Sequence, residues 1–242
     1  MSLNVPGWLL VTALSAAPQT AADTCAPTAL AALEAAAAEV VRGEQASAVA
    51  RVRAADDAGR LCRPLRLAAW ASHGWLSALA AADRGGTPDA LAPVTEALQA
   101  VTALGPTSLD ARYAAAWLRA AAAAAQDERD EMLVWMEEAR ALSTRLALSG
   151  PAPSWPLPVD LAEGELWHGV DDHELAEAAF TRALAARETA LAWRGLARAR
   201  DRRGNKAGAC EAYRRVAQVL AGEPPTAALA VEARGYTLLC VP

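Results

Sequence analysis

Roughly a quarter of this chain is alanine, far above ordinary usage, and no other feature narrows its folds as much. Alanine is the best helix former and is depleted in strands, so a β-rich fold is excluded. Only 5% of residues are aromatic, with a single Phe and three Tyr, so no bulky aromatic core is available. Thin, alanine-faced helices can instead approach closely and pack in layers. A hydrophobic content of 54% excludes a disordered chain, and 242 residues suffice for one large domain or two small ones.

The charge balance narrows the partners. The formal net charge is −5, which argues against nucleic acid. All 23 basic residues except Lys206 are arginine, as high-GC coding produces.

The N-terminus reads as an export signal. Val5 to Ala17 is an apolar run too short to span a bilayer but long enough for a signal-peptide core. Thr20-Ala21-Ala22 offers small residues for cleavage, so residues 1–22 are expected to be removed and the mature chain to begin near Asp23. No Lys or Arg precedes Arg42, which leaves open a first helix of a cytosolic protein. The expected location is the bacterial periplasm or the exterior, with no stable membrane anchor after cleavage; the alternative is cytoplasmic.

Four cysteines lie beyond that site: Cys25, Cys62, Cys210 and Cys240. Helical stretches on either side of Gly43 and Glu44 would form a hairpin, and Cys25 and Cys62 are equidistant from its turn. Cys210 and Cys240 are nearly equidistant from Pro224-Pro225. The expected disulfides are therefore Cys25–Cys62 and Cys210–Cys240, one within each terminal hairpin, in an oxidising compartment. Free thiols at small buried positions are the alternative.

Breakers cut the body into helices. They fall at Gly43, Gly59 to Pro64, Arg84 to Pro88, Gly105-Pro106, Gln126-Asp127, Ser149 to Pro158, Gly169 to Asp172, Arg203 to Asn205 and Gly222 to Pro225. Start signals stand at Thr87-Pro88, at Ser108 before Asp110 and at Asp171-Asp172. No segment alternates with period two. The expected fold class is all-α.

A repeat is visible near the C-terminus. Gly164, Trp167, Ala176 and Phe180 are followed by Trp193, Ala197, Ala209 and Tyr213, with Gly164 to Ala197, Ala176 to Ala209 and Phe180 to Tyr213 each offset by 33 residues. Small residues would sit where the first helix crosses the second, and an aromatic wedge would enter the next unit. This pattern resembles the tetratricopeptide repeat family over about residues 157 to 223. It departs where Arg200 replaces the family's Tyr and where the closing proline is displaced to Pro224. The resemblance implies a superhelical stack of antiparallel helical hairpins, a TPR-like α-solenoid.

The expected organisation is then residues 23–148 as degenerate hairpin repeats spaced by 42 to 44 residues, with a plain helical bundle as the alternative there. A Pro-rich linker follows at 149–158, carrying Trp155 as a candidate anchor. Two TPR-like repeats occupy 159–223, and a capping helix 224–242.

Catalytic sites are sought and none is assembled. There is no Gly-x-Ser-x-Gly, His-Glu-x-x-His or Gly-x-x-x-x-Gly-Lys motif. His168, Asp171, Asp172 and His173 read as a solvated turn rather than a metal site, and His73 sits within a helix without an evident nucleophile. No catalytic residue, metal or cofactor is expected. The concentrated feature is basic: eight cations fall between Arg194 and Arg215. Arg194, Arg198 and Arg202 recur at i, i+4 and i+8, opposite Trp193, Leu196 and Ala197, and so form one stripe. The resemblance places such a stripe in the concave groove where partner peptides bind, and guanidinium forks match carboxylates. A solvated helix face is the plain alternative. An acidic block at Asp127, Glu128, Asp130, Glu131, Glu137 and Glu138 is its opposite in sign.

The expected function is a non-catalytic scaffold or adaptor that binds a protein or peptide partner, an acidic one fitting best. Two alternatives stand beside it. One is an accessory subunit of an envelope transport or assembly system that binds a small anionic ligand. The other is a cytosolic repeat protein that reads acidic C-termini.

Overall fold

The computed structural model describes residues 62–148, 157–221 and 228–240, with Ala50, Arg51, Ala54 and Asp56 ahead of them. The expected signal segment, Cys25, most of the first expected hairpin and Trp155 lie outside the described residues. Among those described, every regular element is a helix, as the alanine content requires.

Nine helices are described. They are α1 (Arg63–Ala82), α2 (Pro88–Ala103), α3 (Leu109–Ala125), α4 (Arg129–Ala147), α5 (Val159–Gly169), α6 (His173–Ala186), α7 (Ala190–Arg202), α8 (Lys206–Val219) and α9 (Ala228–Leu238). Their starts follow the caps. Thr87, Asp172, Thr189 and Asn205 each accept an N–H from the first turn of α2, α6, α7 and α8 respectively.

Four hairpins follow in order, α1 with α2, α3 with α4, α5 with α6 and α7 with α8, and α9 packs on α8. One turn geometry closes all four. At its heart a residue has positive φ: Gly85 at 76°, Asp127 at 61°, Asp171 at 58° and Gly204 at 80°. The next residue's N–H reaches back five positions, Gly86 to Ala81, Glu128 to Ala123, Asp172 to Trp167 and Asn205 to Arg200, each at 2.9 Å. This is the Schellman closure of a helix C-terminus, and asparagine-like side chains or glycine tolerate it best. These turns stand 42, 44 and 33 residues apart.

Small residues set the crossings. A Cβ on Gly74 of α1 would meet Ala97 of α2 and Leu118 of α3, both at 2.8 Å. The Phe180 ring from α6 lies between Gly164 of α5 and Gly195 of α7, where a Cβ would fall 2.5 and 2.2 Å from it. The expected aromatic wedge into the next unit is therefore present. Trp75 of α1 and Trp117 of α3 are fully buried and meet edge to face, with centroids 6.2 Å apart.

First helices touch side by side along the stack, α1 on α3, α3 on α5 and α5 on α7. Second helices also pack on the following first helix, but α4 meets α5 only thinly. Polar groups reinforce that seam. The Glu163 carboxylate on α5, 1% exposed, accepts Nε of Arg140 from α4 and Nη2 of Arg182 from α6, the latter at 2.7 Å. Arg129 at the start of α4 pairs with Asp172 and lies 5.1 Å over the Trp167 ring.

Cys210 of α8 is bonded to Cys240, just beyond α9, with Cα atoms 5.8 Å apart. Cys62 is also disulfide-bonded. Cys25, the partner expected for it, lies outside the described residues.

Candidate basic groove on the first-helix face

The basic stripe exists on α7, but most of it is neutralised. Arg194 is 6% exposed, and its Nε donates to both carboxylate oxygens of Glu232 on α9, at 3.0 and 2.8 Å. The Tyr213 hydroxyl donates to the same Glu232 at 3.0 Å, and its ring stacks on Tyr236 with centroids 4.3 Å apart. Burial, and then Glu232, push the Tyr213 hydroxyl well above the ordinary phenol range. Arg198 is mostly covered and donates from Nη1 to Glu165 of α5 at 3.3 Å. Arg202 is exposed and forms no ion pair among the described residues.

The expectation of a uniformly exposed three-arginine stripe is thus corrected at Arg194. Helix α9 packs on α8, and from there its Glu232 side chain reaches Arg194 of α7. Trp193, expected on the buried side with Leu196 and Ala197, is only half-buried, and its indole N–H donates to Glu188 at 2.8 Å.

The rest of the basic segment is matched as well. Glu177 accepts from Arg200 at 2.9 Å and from Arg203 at 2.6 Å, Asp201 from Lys206, and Glu211 lies against Arg214 and Arg215. The acidic block on α4 is engaged in part, with Glu138 taking Arg112 at 2.6 Å and Glu131 taking the Trp135 indole at 3.1 Å.

Beside Arg198 and Arg202 stand two imidazoles that the turn brings together. The His168 and His173 rings are 5.0 Å apart, and each has a buried Nδ1 without a hydrogen-bond partner among the described residues. Burial, and then the charges of Arg198, His173, Arg202 and Arg194, pull His168 down to about 3, so it is neutral at pH 7. Among the described residues no three His, Cys, Asp or Glu side chains are grouped to hold a metal ion.

His73 does have a hydroxyl nearby, which corrects the sequence reading: Ser77 Oγ is 3.5 Å from Nδ1. That is the outer limit of a hydrogen bond, and an i, i+4 spacing on one helix delivers such a contact without catalytic design.

Sequence reasoning missed Glu165, Glu232 and Tyr236 as members of this surface. The signal was present: Glu165 precedes Arg198 by 33 residues, one repeat, so both occupy the same position on successive first helices. No family model, no curated protein and no solved structure matches this chain.

Proposed function

We propose that the chain is a non-catalytic, tetratricopeptide-like scaffold. It holds an acidic segment of a protein partner against the first-helix face of its last two described hairpins. One observation carries the reading. Arg202 is exposed and forms no ion pair among the described residues, and Arg198 stands one turn before it on the same side of α7, held among those residues by Glu165 alone. An incoming carboxylate would meet exposed Arg202 first, with Arg198 behind it and neutral His168 beside it.

Three features support the repeat architecture: a common turn in four hairpins, first helices in side-by-side contact, and Phe180 wedged between Gly164 and Gly195. The Cys210–Cys240 bridge favours an oxidising compartment and hence export.

The test is affinity isolation from the native cell envelope with wild-type, Arg202→Glu and Arg214→Glu baits, read by mass spectrometry. A partner held by the wild type and by the Arg214 variant, and at least tenfold depleted by Arg202→Glu, supports the proposal. Equal capture by the Arg202 variant at low salt contradicts it.

A further inference from the structure

A second candidate site lies on α3 and α4, with no lining residue from α5 or α7. A cavity of about 270 Å³ opens between the C-terminal end of α2 and α4, floored by α3. It exists because α3 presents Ala115 and Ala116 there, side chains too short to fill the space between its neighbours. Arg112 and Arg119, seven residues apart on α3, share that face and both line the cavity.

The two arginines differ in state. Arg112 is matched by Glu138, which also lines the cavity, at 2.6 Å. Arg119 is exposed and has no acidic partner within ion-pair distance among the described residues. Its guanidinium carbon instead sits 4.6 Å from the centroid of the Trp135 ring. The Trp135 indole N–H is itself fixed on Glu131 at 3.1 Å, so ring and guanidinium hold each other in place. A guanidinium over a ring satisfies none of its N–H groups there, so they are left to hydrogen-bond.

We infer that this cavity binds a small organic monocarboxylate, with the carboxylate on the Arg119 edge and an apolar body over Ala115 and Ala116. The charges of the lining select the anion: Glu138 is taken by Arg112, and Glu131, beyond the lining, is taken by the Trp135 indole, so Arg119 is the lining cation with no carboxylate within ion-pair distance among the described residues. A phosphate dianion would bring its second charge beside Glu138. The planar fork of Arg119 matches a carboxylate bidentately. The volume lies below the range typical of drug-sized ligands, which limits the body to a short chain or one ring.

The test is saturation-transfer NMR on the full chain with benzoate and hexanoate, against benzamide and hexanamide as neutral counterparts. The acids should bind at least tenfold more tightly than the amides. Arg119→Gln should lose that preference, Arg119→Lys should keep part of it, and Arg202→Gln should keep all of it, each variant retaining the wild-type far-UV spectrum. No transfer from either acid overturns the inference, as do equal binding of acids and amides or undiminished binding by Arg119→Gln. Loss with Arg202→Gln alone moves the affinity to the first-helix face and equally overturns it. Partner capture reads Arg202 and not Arg119, so each site can fail separately.

Discussion

Replacing Glu163 by alanine should weaken the chain at its thinnest seam. The carboxylate is 1% exposed and is the acceptor shared by Arg140 of α4 and Arg182 of α6. Removing one member of a fully buried ion pair costs about 3–5 kcal/mol, mostly because the other charge is stranded. Here the arginine side chains are 44% and 52% exposed, so water re-solvates them and that share of the cost falls. Two charge-assisted hydrogen bonds and a small void remain, for a loss of about 2–3 kcal/mol. For a chain of this size that lowers the melting temperature by about 5–10 °C. Because α4 and α5 touch little otherwise, the melt should also broaden as the two halves uncouple. Thermal and urea melts followed by far-UV circular dichroism read both effects, with Arg214→Ala as an exposed control. A Glu163→Ala midpoint within a degree of wild type would refute the reasoning, as would an equal loss in the control.

Further perturbations test other parts of the account. Gly195→Ala pushes a methyl to 2.2 Å from the Phe180 ring and should cost about 1–3 kcal/mol, whereas Gly235→Ala in α9, open within 4 Å, should stabilise by up to about 1 kcal/mol; paired urea melts compare them. Reducing Cys210–Cys240, or Cys240→Ser, opens a bridge of sequence separation 30 and should cost about 3–4 kcal/mol in the chain-entropy model, with hydrogen exchange rising first in α9. The folded value of His168 is lowered to about 3, so between roughly pH 6.5 and 3 the unfolded chain binds the extra proton and stability falls as pH falls. Urea midpoints at pH 7.5 and 5.0 should differ less in His168→Gln than in wild type. Burial pushes the Asp110 carboxyl up, but hydrogen bonds from Arg63, Ser108 and the Ala111 N–H, with the Arg63 charge, hold it below its usual range. Its contribution is therefore present at neutral pH and lost below about pH 4, a loss that Arg63→Gln should reduce in the same melts.

The helical class was legible because alanine content and breaker positions are local properties. Gly85, Asp127, Asp171 and Gly204 all lie within or beside breakers read from the sequence, and each became the positive-φ residue of a hairpin turn. The Phe180 wedge was legible because a 33-residue offset exposed it. The stripe was legible only as a spacing: period 3.6 puts Arg194, Arg198 and Arg202 on one side but does not say what covers that side. Glu232 reaches Arg194 across 38 residues and an intervening helix, which no local pattern reports. The Arg119–Trp135 stack was invisible for the same reason, since the turn between α3 and α4 sets which of their faces meet.

The central claim is that the partner lies on the first-helix face of α5 and α7. Hydrogen–deuterium exchange on the complex isolated with the wild-type bait tests it most directly. The account predicts slowed exchange confined to α5, α7 and the turn at Gly169 to Asp172, and reversed by salt. Protection on the second helices α4, α6 or α8, with α5 and α7 unchanged, would contradict it.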